Sequence, residues 1–185
     1  MSGPTLRQSL AEQLQVAAAS YQEAHVIPHC SVCEQPCCRL DKLVLEMDWK
    51  QVKTLWKIED ARAAFDRKLA AGKGPVEIRE SGGLYYIHTR PCPAYDDAGH
   101  ACRVYGQDVK PPGCSDFPVY EDGGCVMADL RCEAVDLDAL QAWLAERLGP
   151  EFRIVESADR DFPFLITLAI RRQGGKPSPG KRRGR

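Results

Sequence analysis

Apolar residues recur every three or four positions from Leu6 through Leu10, Leu14 and Ala17 to Tyr21, the period of a helix with one face turned to a core. Thr5 and Gln8 stand ahead of it at capping-box spacing, and Pro28 should end it. A second helical stripe, Trp49, Val52, Trp56 and Ala63, starts after Asp48, which can cap it with Gln51 at the third position. It runs toward Gly72, and Gly74-Pro75 completes the stop. Two short β-prone runs, 76–80 and 84–89, flank Ser81-Gly82-Gly83 and read as a hairpin. Val119-Tyr120 and 125–130 repeat that arrangement around Asp122-Gly123-Gly124. A third helix, capped near Asp136, carries Leu137, Leu140, Leu144 and Leu148. The runs 152–155 and 164–170 close the chain as strands, although the second fits a short helix equally well. Between Pro91 and Pro118 no period persists. Prolines, glycines and aspartates alternate there with Cys92, Cys102 and Cys114, and an irregular stretch of that length needs something to pin it.

Composition narrows the classes. The chain has 185 residues, 44% of them hydrophobic and 28% charged, with a net charge of −1, so disorder over the whole length is excluded and a single core is affordable in size. No stretch reaches the roughly 18 to 20 apolar residues of a membrane span. The best candidate, 162–170, is broken by Pro163. Arg7, Gln8, Glu12 and Gln13 interrupt the first leucines, unlike a secretory signal, which predicts a cytoplasmic protein without membrane contact. Charge is unevenly placed. Seven of the 25 basic residues fall in 171–185, which holds no acidic residue. The glycines and prolines of that stretch leave it nothing to bury, so 174–185 is expected to be a disordered basic tail. Its contact with nucleic acid would be weak and sequence-independent, since no aromatic residue is present to stack on a base, and an unidentified protein partner is the other open class.

Nine cysteines are the dominant chemical signal. In a reducing compartment an odd number of thiols points to metal ligation rather than to a disulfide framework. Cys30, Cys33, Cys37 and Cys38 place four thiols within nine residues, which is not how cores are filled. The CxxC turn brings two thiolates to one side of a tight loop. Neighbouring side chains on extended backbone diverge, so Cys37 and Cys38 would face different sites. Cys92, Cys102 and Cys114 can complete the coordination, with Cys132 or Cys125 supplying a further ligand. Eight thiols would make two four-thiolate sites. Cys125 alternates with apolar residues in an expected strand and reads as a bystander. Arg39, Arg90, Arg103 and Arg131 each lie within two residues of a cysteine, where a cation favours the thiolate. His29 and His100 are lesser ligand candidates.

In order and content these motifs resemble the YkgJ-type cysteine-cluster proteins, a family typed by CxxCxxCC and described as zinc- or iron-chelating domains. The resemblance runs from Cys30 to Cys132: after the cluster come Cys92-Pro93, then Cys102-Arg103-Val104-Tyr105, Lys110-Pro111 in place of an R-P pair, and Cys114 before Phe117-Pro118. This chain has three residues rather than two before the vicinal pair, two extra residues between Tyr105 and Lys110, and Ser115 where an arginine is usual. The resemblance implies metal binding, including as an iron–sulfur cluster. Related clusters occur in bacterial flagellin lysine methylases, but no methyl-donor site is recognisable here.

Other chemistry is thin. Gly82-Gly83 and Gly123-Gly124 are not followed by helices and so do not form phosphate loops. Asp96-Asp97 reads as a turn, and Trp49, Trp56, Tyr85 and Tyr86 read as core or groove lining. The sequence therefore predicts an α+β fold: a small, loop-rich single domain of helices and short hairpins around a cysteine metal centre, spanning 1–173 with its core at 30–132. The expected ligands are Cys30, Cys33, Cys37, Cys38, Cys92, Cys102, Cys114 and Cys132, holding an iron–sulfur cluster or zinc in a structural or electron-carrying role. Two alternatives belong to other classes: a cluster-dependent redox or group-transfer enzyme acting on a protein partner, and a zinc-stabilised interaction module.

Overall fold

The computed structural model describes residues 9–39, 43–88 and 91–173. The capping pair Thr5 and Gln8, the strand end at Thr89, Arg90 and the basic tail lie outside the described residues. In chain order the helices are α1 (Leu10–Tyr21), α2 (Ile27–His29), α3 (Trp49–Leu55), α4 (Arg62–Ala70), α5 (Pro112–Asp116) and α6 (Leu137–Leu148). The strands are β1 (Leu45–Met47), β2 (Ile78–Ser81), β3 (Leu84–Ile87), β4 (Tyr95–Asp96), β5 (Ala101–Cys102), β6 (Val119–Asp122), β7 (Cys125–Asp129), β8 (Phe152–Ala158) and β9 (Leu165–Arg172). Helices with antiparallel sheets make the fold α+β. Where the sequence suggests one domain, the chain divides into two compact units. One, the sheet unit, contains α1, β6, β7, α6, β8 and β9; the other, the cysteine unit, is Gln22–Pro118 with Arg131–Ala134.

The sheet unit is a four-stranded antiparallel sheet in the order β6-β7-β9-β8. Its β6–β7 hairpin turns at Gly123 and Gly124, whose φ of 58° and 83° are left-handed conformations that favour glycine. Val126 and Ala128 of β7 and Ile166 and Leu168 of β9 are buried, alternating with half-exposed neighbours as a one-faced sheet requires. Leu14, Ala17, Ala18 and Tyr21 of α1 and Leu140, Leu144 and Leu148 of α6 are buried as well, on helical spacing. Polar groups lock the two helices together. The Trp143 indole donates to the Ala17 carbonyl (3.1 Å), and the Tyr21 hydroxyl donates to the Asp136 carbonyl (3.2 Å). Asp136 in turn caps α6 by accepting from the Ala139 amide. At the start of α1 the capping pair is Ser9 with Glu12, each side chain accepting from the other's amide. The run 164–170, ambiguous in sequence, is strand β9: its register with β7 and β8 supplies ladder hydrogen bonds on both sides.

The cysteine unit has a three-stranded sheet, β1-β3-β2, and a two-stranded β4–β5 ribbon. Its apolar core joins Leu45, Met47, Val52, Leu55, Phe65, Ile78, Tyr85, Ile87 and Ala94. Trp49, Phe65 and Tyr85 meet pairwise at 5.6 to 6.1 Å between ring centres, and the Tyr85 hydroxyl donates to Asp66 (2.6 Å). Phe65 and Tyr85 are core, and half-buried Trp49 packs against them. Two expectations need correction, and one strand is new. The long helix from Asp48 toward Gly72 is two helices, because Lys57 takes a left-handed φ of 52° after α3 and Ala61 starts α4 anew. The capping box at Asp48 and Gln51 is present as expected. The first helix does not stop before Pro28: Gln22–Val26 widens into a π-helical turn and Pro28 sits in the opening positions of α2, where its missing N–H is not needed. Strand β1, unmarked in the sequence, pairs with β3 through Leu45↔Ile87 and Met47↔Tyr85.

Candidate metal centre

A cavity of about 440 Å³ opens in the cysteine unit, and its wall contains the sulfur-bearing residues Cys30, Cys33, Cys37, Cys38, Cys92, Cys102, Cys114 and Cys132. All eight cysteines singled out in the sequence as ligands share this one cavity. Cys125, the bystander, stands instead on β7 in the sheet unit, half-buried and opposite Ala169. Cys30 and Cys37 are exposed and the other six are half-buried, so the wall is partly open to solvent.

Backbone geometry explains how distant cysteines arrive together. Cys30 opens a 3-10 turn closed by the Cys33 amide on the Cys30 carbonyl (3.4 Å). Glu133 then ties the far end of the chain to that loop. Its Oε1 accepts from His29 Nε2 (2.8 Å) and from the Glu34 amide (3.1 Å), one contact on each side of the Cys30–Cys33 turn. Cys132, adjacent to Glu133, is thereby carried to the CxxC turn. A second tether joins the Cys92 amide to the Cys38 carbonyl (2.8 Å). The β4–β5 pairing sets Cys102 opposite Tyr95, with the Arg103 amide on the Ala94 carbonyl (2.8 Å), so Cys102 returns beside the Cys92 turn. Cys114 lies on α5 after Pro111 and, like Cys92, packs on the aliphatic core.

The electrostatics favour the thiolate at Cys37 and oppose it at Cys38, through its bond to Cys37, and, through burial, at Cys30, Cys33, Cys92, Cys114 and Cys132. Backbone amides two residues downstream donate to the sulfurs: Gln35 to Cys33, Ala94 to Cys92, and Ala134 to Cys132. Such donors stabilise a thiolate before any cation arrives. Burial opposes them, pushing Cys33 and Cys132 up to about 11 and Cys114 to about 12. The vicinal pair divides one proton. Cys38 donates to Cys37, which lowers Cys37 and pushes Cys38 well above the thiol range. Lys110 supplies the recurring positive charge: it lowers Cys30, Cys37 and Cys114, and its ammonium sits 4.2 Å from the centre of the Tyr105 ring.

That cation differs from the arginines expected to serve the thiols. Arg39 pairs with Asp97 (2.8 Å), and Arg103 donates to the Pro93 and Tyr95 carbonyls (3.2 and 2.9 Å). Arg103 still lowers Cys92 slightly, and Arg90 lies outside the described residues. Both histidines line the cavity, but His29 has its Nε2 committed to Glu133. His100 Nδ1 is buried with no hydrogen-bond partner among the described residues, beside the Tyr95 ring. Glu133 and Lys110 went unmarked as site residues in the sequence. Glu133 is marked only by following Cys132, whereas Lys110 stands in the Lys110-Pro111 motif place, just before the Pro111 that caps α5.

Among the described residues no three histidine, cysteine, aspartate or glutamate side chains gather in the arrangement that would hold a metal ion. The eight thiols surround a shared space without converging on one point at bonding distance. The chemistry of the donor set, soft sulfur with amide donors and the nearby Lys110 ammonium, fits zinc or an iron–sulfur cluster and not a hard cation such as calcium. Comparison of the chain with protein-family models, with curated proteins and with solved structures finds no match.

Proposed function

We propose that the cysteine unit is a thiolate metal-binding module, holding zinc or an iron–sulfur cluster in a structural or electron-carrying role within a reducing compartment. The observation that carries this reading is the sorting of the cysteines: eight, drawn from positions 30 to 132, line one cavity, and the ninth belongs to the other unit. Ordinary burial of small hydrophobic residues would scatter them through both cores. The likeness of Cys30 to Cys132 to the YkgJ-type clusters points the same way. Such a group, once bound, supplies either a rigid cross-link or a one-electron redox centre. The chain's own residues do the rest. Amides at Gln35, Ala94 and Ala134 and the Lys110 ammonium partly offset the burial that opposes ionisation of these sulfurs, while Glu133 fixes the CxxC turn through His29 and Glu34.

The test is anaerobic purification of the full chain with analysis of iron, sulfide and zinc. Brown protein with iron and sulfide selects the cluster, and colourless protein with stoichiometric zinc selects the mononuclear site. Protein that binds neither after reduction and reconstitution overturns the proposal.

A further inference from the structure

Resting on that metal-thiolate reading, we infer that the eight cysteines form two adjoining four-thiolate sites, one built from Cys30, Cys33, Cys37 and Cys132 and the other from Cys38, Cys92, Cys102 and Cys114. The tethers divide this way. Glu133 clamps both flanks of the Cys30–Cys33 turn, which brings Cys132 to that turn. The Cys92 amide holds the Cys38 carbonyl, β4–β5 returns Cys102 to the Cys92 turn, and Cys114 shares the apolar wall beneath Cys92.

The divider is the vicinal pair. Cys37–Arg39 is a 3-10 turn, not the extended segment expected from sequence, and at three residues per turn successive side chains leave the axis about 120° apart. One turn can therefore serve both sites. Neighbours beyond the vicinal pair follow the same division: Cys132 lies near Cys37, Cys30 and Cys33, whereas Cys38, apart from its bond to Cys37, lies near Cys102 and Cys114. Cys114 likewise senses Cys92 and Cys102. Three couplings cross, Cys37 with Cys38 most strongly, then Cys30 with Cys102 and Cys37 with Cys114, so the two sites adjoin at the vicinal pair. Lys110 acts on Cys30 and Cys37 from the first set and on Cys114 from the second, so its charge offsets the anionic excess of both.

The experiment compares the full-length protein with Cys132→Ser and Cys114→Ser, all purified anaerobically. Metal per chain is measured, and iodoacetamide labelling is mapped by peptide mass spectrometry. Each single variant should keep half of the wild-type metal. In Cys132→Ser the newly labelled residues should be Cys30, Cys33 and Cys37, with Cys38, Cys92 and Cys102 still protected; Cys114→Ser should reverse the pattern. Glu133→Gln, which leaves every thiol in place, gives a second readout in case a serine variant does not fold. It should weaken metal retention about tenfold or more in the first set alone. Complete metal loss from both serine variants, or uniform labelling of all remaining cysteines with Glu133→Gln also releasing both halves together, overturns the division while leaving metal binding intact. A wild-type protein without metal overturns the underlying reading instead.

Discussion

The sheet unit and the cysteine unit reach order by different means. In the sheet unit, α1 and α6 each bury three or more side chains on helical spacing, two strands alternate buried and half-exposed positions, and Tyr21 and Trp143 lock the helices by hydrogen bonds. Nothing beyond its own apolar core is required. The cysteine unit has such a core only around β1-β3-β2. Its remaining length, from Pro91 to Pro118, has two two-residue strands and a five-residue helix, held by turns and a few tethers. The contrast sets a unit held by buried hydrocarbon throughout against one whose irregular half surrounds a sulfur-lined cavity.

The largest expected effect follows from removing the metal. Structural zinc contributes roughly 10 to 16 kcal/mol of apparent binding free energy in small peptides, against about 5 to 15 kcal/mol for a whole domain. Chelation should therefore abolish amide protection across 30–39 and 91–118 while β7, β9 and α6 stay protected in hydrogen exchange. Equal loss in both units would erase the distinction. Next in size is Leu144→Ala, at a fully buried position of α6. It should cost about 2 to 5 kcal/mol and lower the melting temperature by roughly 5 to 15 °C with metal content unchanged. Metal loss in that variant would show that the units are not energetically separate.

A smaller effect concerns pH in the metal-free protein. Burial pushes Cys33, Cys132 and Cys114 up to about 11, 11 and 12, so the unfolded chain, with thiols near 8.5, loses its protons first. Their contribution to stability is fully present below about pH 8.5 and is lost as pH rises toward those folded values. The urea midpoint of metal-free protein should fall over that interval more steeply than that of loaded protein, whose thiolates are already deprotonated. Tyr85, raised to about 12 chiefly by burial, acts in both forms and cancels in the comparison. Smallest of all is truncation before Gly174, which removes a segment with no apolar face; the melting temperature should not move by more than a degree or so.

Legibility differed between the units for physical reasons. Helix α6 and both glycine-turn hairpins could be read directly, because capping by Asp136 and left-handed turns at Gly82-Gly83 and Gly123-Gly124 are local chemistry. The gathering of eight cysteines could be read from their spacing and residue type. Strand β1 could not: three residues carry no usable period, and its partner β3 lies about forty positions away. The break at Lys57 was hidden because Trp56 continues the apolar stripe past the end of α3. Glu133 was equally hidden, since its role rests on His29 and Glu34, about a hundred positions earlier in the chain. The return of 131–134 to the cysteine unit also conceals the division into two units, as the chain leaves the sheet unit for only four residues.

The most direct measurement is metal content and melting behaviour of Cys33→Ser set against Cys125→Ser, the two cysteines that the structure assigns to different units. An alcohol is a poor ligand for a soft metal, so Cys33→Ser should lose metal and melt at lower temperature, whereas Cys125→Ser should keep its metal and pay only for packing on β7. Full metal content with an unchanged melt in Cys33→Ser, together with loss of both in Cys125→Ser, would contradict the account.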